Sequence, residues 1–221
     1  VLAETVTMIG DSCFEGDKKL QNVIIPSACT TIGSSAFAYC SSLTSINIPD
    51  GITVIPYSCF SSCTEMSTIT GCKNVSSIGE YAFANSHLTS YPFGNSLKSI
   101  DRSAFQYSYL VSVTIPGSVR TIGEYAFYAC SYLEEVIFEE GNTFVGSHMF
   151  LRCKQLSKVS LASTITRIDY GAFCEVGIET IALPTGLTDL VEACFYECPN
   201  LVSIDIPTGV TRIGENMFGK C

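Results

Sequence analysis

The apolar positions of this chain recur with a fixed period. Phenylalanine stands at Phe14, Phe37, Phe60, Phe83, Phe105, Phe127, Phe150, Phe173, Phe195 and Phe218, at intervals of 22 or 23 residues. Five positions before each lies an aliphatic residue without exception: Ile9, Ile32, Ile55, Ile78, Ile100, Ile122, Val145, Ile168, Leu190 and Ile213. Two columns held in phase along a whole chain read as core, and a period of this length reads as a repeat architecture. Ten units of 22–23 residues fill residues 1–221 as a single array, with no linker and no second domain.

One unit shows the local pattern: Leu110-Val111-Ser112-Val113-Thr114-Ile115-Pro116, continuing through Val119 and Ile122-Gly123 to Ala126-Phe127. The alternation in Val113/Ile115, Ile46/Ile48 and Ile204/Ile206 predicts a half-buried strand, and the proline ends it by withholding an N–H. After the Ile-Gly bend comes a short polar segment, often opened by an acid (Glu80, Glu124, Glu192, Glu215) and suited to one helical or 3-10 turn. A unit this small cannot bury its apolar face alone, so neighbours must stack with their strands parallel, about 4.8 Å apart. The expected fold is an α/β repeat solenoid with a parallel β-sheet on one face and short helical or 3-10 turns elsewhere. The three 22-residue intervals support this register, because each loses its residue between the Phe and the next leading aliphatic, Leu88, Leu110 or Ile178.

Composition narrows the function classes. Twelve Lys+Arg against 21 Asp+Glu give a net charge of −9, which argues against nucleic-acid binding. No apolar run reaches the roughly 18 residues of a membrane helix. Six of the twelve cysteines stand three after the Phe (Cys40, Cys63, Cys130, Cys153, Cys198, Cys221), and Cys13, Cys59 and Cys194 stand one before it. At such positions cysteine acts as a small buried hydrophobe, so free thiols are expected. Disulfides are one alternative, and a metal at Cys59/Cys63 or Cys194/Cys198 another. The short-loop units carry Ser86, Ser108 and Val176 in place of the thiol.

No H-E-x-x-H, G-x-S-x-G or phosphate-cradling loop is present. His87 and His148 lie on different units and read as solvent-facing. Glu134-Glu135 and Glu139-Glu140 flank one strand, where neighbours splay rather than converge, so they read as a solvated acidic face, with a Ca²⁺ site as the alternative. No catalytic residue, cofactor or resident metal is expected, and the chain does not read as an enzyme.

The recurring pattern L-x-x-I-x-I-P-x-x-V-x-x-I-G-x-x-A-F-x-x-C, as in Leu43 through Cys63 and Leu201 through Cys221, resembles the BspA-like, or Treponema-type, leucine-rich repeats. The resemblance covers essentially the whole chain. It implies a right-handed leucine-rich-repeat superhelix, a cell-surface or secreted bacterial or protozoan protein, a role in adhesion, and no catalytic site. Three departures stand out: Gly71-Cys72 replaces the strand proline, Pro92 falls inside a strand, and Asn142 occupies an aliphatic position. The sheet is expected to bend or bulge there, and Asn142 to need a partner if buried.

Outward-facing strand positions form two columns dominated by Ser and Thr, which ordinarily makes a solvated sheet. Glu135, Ile137 and Lys158 break that pattern, between Thr114 and Ser160, and mark a candidate protein-binding surface. A second candidate is the loop edge, where Tyr107, Tyr109, Tyr128 and Tyr132 offer contact area at low entropy cost. The Asn74 sequon carries no weight without a known host. Val1-Leu2 is in strand register and Cys221 stops mid-unit without a polar cap. The array therefore reads as an excerpt or nearly all of a longer surface protein, or as one whose ends self-associate. The function expected is a non-enzymatic protein-interaction module, with a ligand-free spacer as the alternative.

Overall fold

The computed structural model describes residues 2–221; Val1, with its proposed strand register, lies outside the described residues. The phenylalanine column is the spine of the molecule. Each ring stacks on the next at 5.2–5.9 Å between centroids, with interplanar angles of 4–16°. The spacing follows from the parallel-strand repeat, since a ring advances one coil for each rung of backbone. Eight rings, Phe37 to Phe195, are fully buried. Phe14 and Phe218 have a neighbouring coil on one side only and are half-buried, so the result is a parallel β-solenoid of about eight closed turns where the sequence pattern counts ten units.

The backbone forms two parallel ladders, not one. The first contains the expected strands, including Ser45–Asn47, Thr68–Thr70, Ser112–Ile115, Glu135–Phe138 and Lys158–Ser160. The second runs through the Ile-Gly segment that the sequence suggests is a bend. It includes Met8–Ile9, Thr31–Ile32, Val54–Ile55, Ser77–Ile78, Ser99–Ile100 and Thr121–Ile122, mostly with the first residue outward and the aliphatic buried. Two residues suffice for a rung because the adjoining coils hold the strand in register on both sides.

The Phe-bearing turns are not helical, which corrects the α/β expectation. Among the described residues the only helix is the 3-10 turn Cys72–Asn74. In a helix every amide would bond within its own segment. Here every second amide leaves it: Ser35, Phe37 and Tyr39 donate to the carbonyls of Tyr57, Cys59 and Ser61 on the next coil, at 2.8–3.0 Å. The intervening Ala36, Ala38 and Cys40 bond locally to Gly33, Ser35 and Phe37. That alternation requires left-handed backbone two before and two after each Phe, as at Ser35 (φ 55°) and Tyr39 (φ 60°). Eighteen of the described non-glycine residues have positive φ, each at a cost of about 1 kcal/mol or more. The inter-coil bonds offset that strain.

The departures in the repeat have local structural consequences. No strand forms at 90–92, and the first ladder is interrupted between Thr68–Thr70 and Ser112–Ile115, as Pro92 predicts. The Tyr91 ring turns inward there, between Phe83 at 5.2 Å and Phe105 at 5.3 Å. Asn142 is buried and finds its partners, its amide donating to the carbonyls of Ile115 (3.1 Å) and Glu139 (2.7 Å). Gly71, at φ 80°, leads into the 3-10 turn where a Cβ would fall 2.0 Å from the Ile48 carbonyl.

Candidate functional site

Parallel pairing brings the five sheet-face candidates into one grid. Glu135 is the rung partner of both Ser112 and Lys158, and Ile137 of both Thr114 and Ser160. Val136 and Phe138 anchor the central strand from beneath, which turns Glu135 and Ile137 outward. Ile137 is 37% exposed, an apolar point set among hydroxyls, with a carboxylate and an ammonium side by side on the adjoining row. The strand amides and carbonyls are committed to the ladder, so recognition at this face falls to side chains.

The four tyrosine candidates divide into two pairs on the turn edge. Tyr109 stacks on Tyr132 at 4.7 Å and 24°, with the His87 ring 4.1 Å away on its other side. Tyr107 meets Tyr128 edge-on at 5.2 Å. The Tyr128 hydroxyl accepts a 3.0 Å hydrogen bond from Arg152, whose Nε also donates to the Glu175 carboxylate at 3.1 Å. The sequence reading does not bring together a neighbouring cluster around His148. His148, with its side chain 18% exposed, stacks on Tyr125 at 4.8 Å, packs against Tyr170 at 5.0 Å, and lies 3.0 Å from Glu124 through Nδ1. This corrects the solvent-facing assignment of His148. The signal was available in the sequence, because Tyr81, Tyr125 and His148 all stand two before a Phe. Gly171 continues the column, and its missing side chain makes room, since a Cβ there would lie 2.8 Å from the His148 ring.

The chemistry of these groups is limited. Ser147 and Glu124 both reach His148 through Nδ1, at 3.4 and 3.0 Å, so the ring does not relay a proton between them through its two nitrogens. Glu139 and Glu140 splay as expected. Glu139 accepts from the Gly117 amide on the preceding coil, whereas Glu140 accepts from Ser163 on the following one, which lowers the Glu140 pKa. The Asn74 amide nitrogen donates to the Asp50 carbonyl at 3.0 Å.

The cysteine column has a role beyond filling space. The thiols of Cys40, Cys63, Cys130, Cys153, Cys198 and Cys221 each point to the carbonyl of the phenylalanine one coil earlier, at 3.0–3.1 Å. All twelve cysteines are free, and only Cys13 and Cys221, on the outermost coils, are exposed. Burial pushes three of these thiols up, Cys40 to about 11 and Cys63 and Cys198 to about 12, so these three stay protonated and unreactive near neutrality.

Comparison with known proteins agrees with this architecture. A protein from Bacteroides ovatus, described as a leucine-rich repeat protein, superposes with a TM-score of 0.81 at 22% identity, over 100% of this chain and 69% of its own. The leucine-rich repeat protein of T. pallidum gives 0.53 at 26% identity, over 77% of this chain and 70% of its own. One from Eubacterium ventriosum gives 0.58 at 22%, over 84% and 59%. No curated protein sequence matches the chain. No described helix is long and apolar enough to cross a membrane. The family model described as a BspA type leucine-rich repeat region matches residues 1–111 and 98–221, in six copies. With the repeat matched from end to end and the coils built as that repeat requires, the chain belongs to the BspA-type leucine-rich repeat family.

Proposed function

We propose that this chain is a non-enzymatic protein-binding module of a surface-exposed or secreted protein, engaging its partner in adhesion or host recognition. The observation that carries the reading is the grid on strands Ser112–Ile115, Glu135–Phe138 and Lys158–Ser160. Its apolar centre and adjacent opposite charges supply burial and orientation on a surface whose backbone is already satisfied. Tyr107, Tyr109, Tyr128 and Tyr132 extend the proposed contact area along the turn edge. Surface placement rests on the resemblance to BspA-like repeats alone. The absence of a cofactor role and of catalysis is part of the same reading, supported by a fold built from stacked coils and by a His148 cluster wired through one nitrogen.

The test is capture from extracellular-matrix and host-surface proteins by the intact array, beside a variant carrying Glu135→Lys, Ile137→Ser and Lys158→Glu. A partner held by the first and weakened at least about tenfold in the second supports sheet-face recognition. A partner held equally by both contradicts it, and no partner for either favours a ligand-free spacer.

A further inference from the structure

The one-residue deletions do more than shorten loops. The coils after Phe83 and Phe105 are consecutive short ones, and the long coil after Phe127 follows them. A cavity of about 350 Å³ opens at this step, lined by Asn85, Tyr107, Ser108, Tyr109, Ser131 and Tyr132 among others. A turn with one residue fewer is recessed against its longer neighbour, which leaves a notch. The size falls in the usual range for small-molecule sites, roughly 300–1,000 Å³.

We propose that this notch binds a neutral carbohydrate. Three tyrosines line it: Tyr107 and Tyr132, 45% and 52% exposed, and half-buried Tyr109, held in place between His87 and Tyr132. Tyr109 is covered by His87 and Tyr132, which leaves Tyr107 and the outer side of Tyr132 to offer apolar ring surface at little entropic cost, the complement of the C–H face of a pyranose. Hydroxyls and an amide stand beside them, on Asn85, Ser131 and the tyrosines, as a sugar's rim of hydroxyl groups requires. None of the lining residues is charged, although the protein carries a net charge of −9, so the notch selects neither a cation nor an anion.

The dimensions favour one or two sugar rings over an extended peptide. The notch spans three coils, whose phenylalanines lie 5.2 and 5.3 Å apart, or about 10 Å in all. A proline-rich ligand of seven residues is about 22 Å long at 3.1 Å per residue and needs a longer groove. The site is separate from the sheet face but shares Tyr107, Tyr109 and Tyr132 with the turn-edge contact proposed above, and the sheet-face variant below tells the two readings apart.

Calorimetric titration of the intact chain with neutral oligosaccharides of glucose, mannose, galactose and N-acetylglucosamine tests the assignment. Polygalacturonate and a proline-rich peptide serve as the charged and peptide comparators. Saturable binding of at least one neutral sugar is expected, weakened at least about tenfold by Tyr132→Ala or Tyr107→Ala. Binding should be unchanged by Glu135→Lys, Ile137→Ser and Lys158→Glu. Ala129 occupies the same left-handed column as Tyr107, so the turn already accepts alanine there, and exposed Tyr132 is a second variant on the neighbouring coil. The proposal is overturned if no neutral sugar binds, if both tyrosine variants bind as the parent does, or if polygalacturonate or the peptide is preferred.

Discussion

The sheet face and the turn edge come from the same repeat, yet they spend their side chains differently. On strands Ser112–Ile115, Glu135–Phe138 and Lys158–Ser160 the outward residues hold nothing together, because the ladder and the residues beneath do that. On the turn edge, left-handed backbone, thiol-to-carbonyl bonds and the buried phenylalanine stack beneath are all structural. A face without structural duties can change its side chains without loss of fold. An edge that carries stability is expected to lose it when its buried or left-handed positions change.

Substitutions should expose this contrast. The largest effect is expected to be collective: several buried thiols have pKa values raised from 9.0 to about 11 or 12. The unfolded chain releases those protons first, so stability is retained below pH 9 and falls as pH rises from there through 11–12. Urea titrations at a series of pH values read the slope, and a flat profile above pH 9 would break the edge's side of the comparison. Beneath the edge, Phe127→Ala removes a fully buried ring and should cost about 3–5 kcal/mol in denaturant unfolding. At the edge itself, Ala129 has φ 52°, and Ala129→Val should cost about 1–3 kcal/mol, since a β-branched residue resists that conformation.

Smaller effects sharpen the contrast between long and short coils. Cys153→Ala loses a buried thiol and its bond to the Phe127 carbonyl, at a cost of about 1–2 kcal/mol. In a short coil the buried Ser86 hydroxyl has no partner, so Ser86→Ala should be neutral or stabilising by up to about 1 kcal/mol. On the sheet face, Glu135→Lys, Ile137→Ser and Lys158→Glu should each stay within about 0.5 kcal/mol of the parent. A large loss there would give the face a structural duty.

Much of the fold was legible because it rests on side-chain burial, which leaves a periodic trace. The phenylalanine column, the paired strands, the interruption at Pro92 and the partnered Asn142 all follow from that trace. The turns did not. Their left-handed positions hold Ser, Tyr, Asn, His, Arg, Glu, Ala and Lys, with glycine only at Gly16 and Gly171, so the usual residue signal is absent. Inter-coil hydrogen bonds impose that backbone, and a reading of one unit at a time cannot contain them. The second ladder was hidden similarly, since two residues such as Thr121–Ile122 show no alternation of their own. For the sheet-face candidates, their column was readable from the strand period, and parallel register placed Glu135 beside Lys158.

The most direct test of the sheet-face account is hydrogen exchange of the array alone and with a captured protein partner. The account predicts added protection at 112–115, 135–138 and 158–160, with the second-ladder strands Ser99–Ile100 and Thr121–Ile122 unchanged. Protection confined to the second ladder, with none across Glu135–Phe138, would contradict it.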